Sequence, residues 1–280
     1  MTRSARPLLR AVRDALDTDS KLLDARWLVG LAGGLDQPVM SHQNITLTPD
    51  QEVRLERLVK QRKEGLPISR MRGKREFWSL DFYLNDATLD PRPDSETLVE
   101  AALAYARTAL SDIPAIKVLD LGCGSGCLLL ALLSELKEAT GQGIDIAPQA
   151  VAQARANAAS LGLASRAEIT TGCWAEGISQ PFHLIVSNPP YICEADNSLS
   201  DEVRLHDPAL ALYAGADGLA AYRVLLPQLG AILADNGQAF LEVGYGQIER
   251  VSDIAEQAGL IVKQTYRDLA GVERCLAVAK

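Results

Sequence analysis

A carboxamide followed by two prolines and an aromatic, Asn188-Pro189-Pro190-Tyr191, is the stretch of this chain best suited to gripping another planar amide. The Asn188 side-chain oxygen and the Pro189 carbonyl are two acceptors on a stiff backbone, and a planar NH2 group has two protons to offer them. Tyr191 supplies a ring face for such a group to pack on. Held in this way, the nitrogen points in one direction, which suits a reaction limited by alignment of a nitrogen nucleophile. Asn-Pro also opens ordinary turns. Here, however, it follows the apolar run Phe182-His183-Leu184-Ile185-Val186, so the turn sits at the carboxyl end of a buried strand, where open parallel sheets bind ligands.

A second constellation indicates what the nitrogen faces. Val118-Leu119-Asp120-Leu121 runs into Gly122-Cys123-Gly124-Ser125-Gly126 and then into an apolar helical pattern from Cys127. Glycines spaced by two permit close backbone approach to a ligand. They match neither the dinucleotide pattern nor a P-loop, because no Gly-Lys-Ser/Thr follows. One strand later, Gly143-Ile144-Asp145 ends in an acid placed to accept from both hydroxyls of a ribose. A nucleoside ligand without phosphate anchors points to S-adenosylmethionine. Trp174, behind the next strand, can stack on an adenine or serve as packing.

These turns need a sheet to carry them. Strands are expected near 117–121, 142–146, 167–171, 182–187 and 238–243, alternating with helices, which predicts a mainly parallel sheet covered on both faces. A helix starts near Asp94 or Ser95, after the stiff Pro91-Arg92-Pro93. Phe77–Leu84 reads as a strand or hairpin. The first ~70 residues read as helices, with apolar stripes Leu8, Leu9, Val12, Leu16 and Leu22, Leu23, Trp27, Leu28, Leu31. Thr48-Pro49-Asp50-Gln51 is a helix start with a capping box, and Gly65 ends that helix.

Charge divides the same way. Residues 1–75 carry fifteen Lys/Arg against nine Asp/Glu, a net of +6, within a chain of −8. The remainder, at −14, is a poor grip for a phosphate backbone. The basic part can steer an acidic partner or simply be a solvated helical surface. Five cysteines without C-x-x-C spacing and three scattered histidines predict neither a zinc site nor disulfides, and fit a reducing cytoplasm. No apolar run is long enough for a membrane span, and the start lacks a signal-peptide pattern.

Asp120–Gly126, Asp145 and Asn188–Tyr191 resemble the class I methyltransferases that modify planar amino groups. Leu89–Glu96, with its Pro91-Arg92-Pro93-Asp94-Ser95-Glu96, resembles the Pro-Arg-Pro-Glu-Thr-Glu segment of the HemK-type (PrmC family) peptide chain release factor glutamine methyltransferases. His206–Leu212, Gly215–Leu219, Glu242-Val243-Gly244 and Asp268–Gly271 are similar to later blocks of that family, so the likeness runs nearly end to end. It implies an α/β class I S-adenosylmethionine methyltransferase fold: a Rossmann-like, mostly parallel seven-stranded sheet, closed by an antiparallel pair at 260–265 and 274–279. An N-terminal helical substrate-docking domain (1–72), a linker or hairpin (73–94) and the methyltransferase domain (95–280) are expected.

The implied reaction is methylation of the glutamine N5 in the Gly-Gly-Gln motif of class I release factors. The implied cofactor is S-adenosyl-L-methionine, with no metal, no membrane and no direct nucleic-acid partner. The resemblance casts Asn188, Pro189 and Tyr191 as catalytic, and Asn188, Pro189, Pro190 and Tyr191 as substrate-binding. Gly122, Cys123, Gly124, Ser125, Gly126, Asp145, Trp174 and Asn188 are the cofactor set. Asp120 is expected to brace the loop, Arg92 and Glu96 to frame the entrance or serve the helix, and His206 to make a structural hydrogen bond. Cys173 stands where the family often has an acid, Asp207 where many relatives have Glu, and Gly271-Val272-Glu273-Arg274 replaces Gly-x-Asp-Arg. Related enzymes that methylate a ribosomal-protein glutamine carry Pro-Arg-Ser-Pro instead, and adenine-N6 methyltransferases share the Asn-Pro-Pro-Tyr turn; both remain alternatives.

Overall fold

Val118–Leu121, the apolar run ahead of the glycine turn, lies near the middle of a seven-stranded sheet. The computed structural model describes residues 3–196 and 199–280. Its chain falls into two units: one reaches to Lys74 and includes Leu199–His206, and the rest of the described chain forms the other.

The first unit holds β1 (Arg3–Ser4), α1 (Arg6–Ala15), α2 (Lys21–Ala32), β2 (Asn44–Ile45), α3 (Pro49–Lys63) and α4 (Ile68–Arg72). The α1 stripe buries Leu9, Val12 and Leu16. The α3 start is a capping box: Thr48 Oγ1 accepts from the Gln51 N–H, and Gln51 Oε1 accepts from the Thr48 N–H. The α2 stripe departs from expectation. Leu28 and Leu31 are buried, but Leu22 and Leu23 are 44% and 50% exposed. The helix turns Asp24 inward instead, where it accepts from Thr18, Ser20 and the Arg62 Nε. Arg62 Nη1 in turn donates to Glu202 of the Leu199–His206 segment. A buried carboxylate is tolerable here because two hydroxyls and a guanidinium N–H donate to it.

The second unit begins at Arg75, within the hairpin β3 (Lys74–Phe77) and β4 (Leu80–Tyr83), followed by a 3-10 turn, Pro93–Ser95, and α5 (Glu96–Ala109). Then come β5 (Lys117–Leu121), α6 (Cys127–Glu135), β6 (Thr140–Asp145), α7 (Pro148–Ser160), β7 (Ala167–Thr171), β8 (Phe182–Ser187), α8 (Asp201–His206, in the first unit) and α9 (Ala209–Leu212). The chain ends with α10 (Ala220–Ile232), β9 (Leu233–Glu242), α11 (Ile248–Gln257), β10 (Ile261–Arg267) and β11 (Glu273–Ala279). The sheet order is β10-β11-β9-β8-β5-β6-β7. All neighbours are parallel except at β11, which runs antiparallel to β9 and β10.

Alternation along each strand builds two cores. Val118, Leu184, Val186 and Phe240 face one helical layer; Leu119, Ile185, Ala239 and Leu241 face the other. β9 begins at Leu233 rather than near Gln238, because Leu233 pairs with Phe182 before a register shift ahead of Leu184. The chain enters the sheet at β5, moves outward through β6 and β7, and returns on the other side at β8. The switch point is thus between β5 and β8, and the crevice lies over their carboxyl ends. Among the described residues, no helix is long and apolar enough to cross a membrane.

Candidate active site

The glycine turn is tied down from several sides. The Gly122 and Cys123 N–H groups both donate to the Ile144 carbonyl, at 2.8 and 2.9 Å, so the turn leans on the end of β6. Gly126 has φ +81°, and a Cβ there would lie 3.2 Å from Ala154 and Leu130, so the position requires glycine. Asp145 Oδ2 accepts from the Gly124 N–H at 2.8 Å, and its Oδ1 accepts from the Ala147 N–H at 2.9 Å. The hydrogen bond to the turn is thus made by Asp145, whereas Asp120, expected to brace the loop, bonds to α6 behind it. Asp120 is fully buried under α6 and accepts from the Leu129 N–H at 3.2 Å. Burial pushes its carboxyl up to about 7; the Leu129 N–H opposes that rise, and the Asp145 charge adds to it.

Asn157 is a further support that the sequence reading missed. From the buried face of α7 its amide donates to the Tyr83 and Ser125 carbonyls and accepts from the Tyr83 N–H. It joins the β4 edge to the glycine turn. An asparagine among the alanines of Ala154–Ala159 was the available signal.

The second turn is positioned as firmly. Ser187 Oγ donates to the Leu121 carbonyl at 2.6 Å and locks the end of β8 to the end of β5. Asn188 Nδ2 then donates to Ser95 Oγ at 3.2 Å, and Ser95 Oγ donates to Glu242 Oε2 at 2.5 Å. Tyr191 Oη donates to the other carboxylate oxygen of Glu242 at 3.3 Å, and Tyr222 Oη donates to the Glu242 carbonyl at 2.7 Å. Burial pushes the Glu242 carboxyl up to about 7, against the stabilising pull of Ser95, Tyr191 and Arg274. Burial and the Glu242 charge also raise the Tyr191 hydroxyl well above the usual phenol range. Gln247 Nε2 donates to the Tyr191 carbonyl at 2.9 Å. The same carbonyl would sit 2.4 Å from a Cβ at Gly218, which explains the glycine there.

Over the two turns lies a cavity of about 340 Å³. It brings together Gly122, Cys123, Gly124, Ser125, Asp145, Trp174, Asn188 and Pro190. Gly126, Pro189 and Tyr191 are not among its lining residues; the Tyr191 ring packs into the core beneath β9. Trp174, at φ +49°, lies against Gly122, and Cys173 lines the wall beside it. Ile146, Leu128, Pro91 and Leu210 add apolar surface. Arg92 lines the cavity and donates to Asp207 Oδ2 at 2.5 Å, tying the Pro91-Arg92-Pro93 segment to the Pro208–Tyr213 wall. Glu96 is elsewhere, accepting from the Trp78 N–H. His206 lies in the first unit, and its Nε2 has no hydrogen-bond partner among the described residues, so the expected structural hydrogen bond is not made through that nitrogen.

The chain matches the Methyltransferase small domain over residues 100–205 and the PrmC N-terminal domain over residues 7–73. It is 47% identical over 255 residues to a release factor glutamine methyltransferase of Rhodospirillum rubrum, covering 90% of this chain and 77% of the relative. A relative of the same name from Bradyrhizobium diazoefficiens is 42% identical over 280 residues, covering 99% and 94%. Among solved structures, the hMettl16 catalytic domain in complex with MAT2A 3'UTR hairpin 6 superposes with a TM-score of 0.55 over 86% of each chain. At 11% identity that likeness is one of fold. Identity at this level across nearly the full length places the chain in the family of release factor glutamine methyltransferases.

Proposed function

We propose that this protein transfers a methyl group from S-adenosylmethionine to the side-chain nitrogen of the glutamine in the Gly-Gly-Gln tripeptide of class I peptide chain release factors. The observation that carries this reading is the setting of Asn188. Its Nδ2 is engaged by Ser95, which leaves Oδ1 for an incoming N–H at the wall of the cavity.

The donor set fits the cofactor. The glycine turn allows close backbone approach, Asp145 stands where ribose hydroxyls are met, and Trp174 with Ile146 offers apolar surface to a purine. When bound, the cofactor supplies a methyl group on a sulfonium sulfur, a strong electrophile. An amide nitrogen is a weak nucleophile because its lone pair is delocalised, so the task of these residues is alignment. Asn188 Oδ1, at the cavity wall, accepts one amide proton; the Pro189 carbonyl, set back from the lining, takes the second once the substrate amide has entered the turn. As positive charge grows on that nitrogen, both acceptors stabilise it. The surplus proton leaves to water, so no side chain need be a strong base. Tyr191, anchored on Glu242, holds the turn.

The first unit, with most of the excess of basic residues, is proposed as the docking surface for the body of the release factor. One experiment tests substrate and docking together. The enzyme is incubated with labelled cofactor and, separately, with release factor, free Gly-Gly-Gln peptide, ribosomal subunits and DNA. Label is expected in the release-factor glutamine, with a lower KM than for the free peptide and a gap that narrows at high salt. Label in a ribosomal protein or in adenine would replace the substrate assignment. Equal KM values for factor and peptide would remove the docking role.

A further inference from the structure

The Asn188 amide can face its guest with either end, and only one end accepts a proton. We infer that Ser95 and Glu242 are positioning residues that set the polarity of Asn188, so that its oxygen and not its nitrogen meets the substrate amide. This rests on the role proposed for Asn188.

Ser95 has one hydroxyl proton, and Glu242 Oε2 takes it at 2.5 Å. An ionised carboxylate can only accept, so the Ser95 oxygen is left only as an acceptor toward Asn188. It receives Nδ2 at 3.2 Å, and Asn188 Oδ1 is turned to the other side. Ser95 is 3% exposed and Glu242 is 1% exposed, so water does not compete for these bonds.

Local structure supports a dedicated role. Ser95 stands at the N-cap of α5, where a serine side chain normally accepts from the helix's own N–H groups. Here it makes no capping bond and reaches across to β9 instead. Glu242 ends the run Ala239-Phe240-Leu241 in the core and would be a costly choice there without partners. Its partners are Ser95 and Tyr191, with Arg274 of β11 and Asp94 of the 3-10 turn as the other charges acting on it.

The carboxyl is pushed up to about 7, chiefly by burial. Once protonated, it can donate to Ser95, which then donates to Asn188. The amide reverses and offers its NH2 to a substrate that also brings NH2. The rate should therefore fall as the pH drops through the neutral range.

The test compares wild type with Ser95→Ala, Asn188→Ala, their double variant, Glu242→Leu and Glu242→Gln, at saturating cofactor. Ser95→Ala should lower kcat about tenfold, the value of one well-placed hydrogen bond, with cofactor Kd nearly unchanged and a lower thermal midpoint, because a buried Glu242 oxygen loses its donor. In the Asn188→Ala background, Ser95→Ala should cost nothing further. Glu242→Gln should recover most of the loss seen in Glu242→Leu, since its carboxamide oxygen can still take the Ser95 proton. It should also abolish the acid limb of the kcat profile. Independent, multiplicative losses for Ser95 and Asn188, or an acid limb unchanged in Glu242→Gln, would overturn the inference. Full activity of Asn188→Ala would overturn the parent reading instead.

Discussion

Asp145 acts with both oxygens at once. It accepts from Gly124 and Ala147 in the protein alone, so its carboxylate holds the glycine turn in shape and also faces the cavity. Asp145→Ala is expected to weaken cofactor binding on the order of 100-fold or more, because hydrogen bonds to a charged group contribute about 1.5–3 kcal/mol each. Titration calorimetry with cofactor checks this, and an unchanged Kd would show that the carboxylate is only a turn brace. At this scale, the residues at the strand ends were legible: Asn188, Asp145 and the glycines announce themselves by type and spacing. The residues that hold them were not. Ser95 and Glu242 are distant in sequence, and only the α5–β9 packing makes them neighbours. The sequence offers Tyr191 as a ring face for the substrate, but its hydroxyl is fixed on a carboxylate that no local pattern exposes.

Single helices and strands carry the second tier of support. The Asn157 amide on α7 is fully buried and joins the half-exposed β4 edge to the buried glycine turn. Asn157→Leu leaves the buried Ser125 carbonyl and the part-buried Tyr83 backbone groups without this partner, so it should cost about 1–3 kcal/mol of stability. Urea unfolding reads that loss directly, and a value within a few tenths of wild type would contradict it. The order of strands and helices was legible because the apolar runs have period two in the sheet and the turns carry their own chemistry. The α3 capping box was visible for the same reason. The α2 face was not, since Asp24 looks like a surface acid until Arg62 and two hydroxyls meet it. Nor was the early start of β9, which depends on pairing with Phe182 across a bulge.

Across the whole molecule, two buried carboxyls link folding to pH. Asp120 and Glu242 are both raised to about 7 in the folded chain, from ordinary values of 3.8 and 4.5. The folded state therefore keeps protons that the unfolded state releases. The stability these groups contribute is fully present below those ordinary values and is lost as the pH rises through about 7. Asp120→Asn combined with Glu242→Gln should flatten the dependence of unfolding free energy on pH across that window, relative to wild type. An identical slope would mean that neither group holds its proton. The same molecule must bring a large protein substrate to a small cavity, where the reaction turns on how one amide nitrogen is held. The most direct test is single-turnover methyl transfer to intact release factor, read by mass spectrometry of the Gly-Gly-Gln peptide, for wild type and Asn188→Ala with cofactor binding measured on both. The variant is expected to react more slowly by about 10²–10³, with the fold intact and cofactor still bound; transfer at the wild-type rate would remove Asn188 from the chemistry.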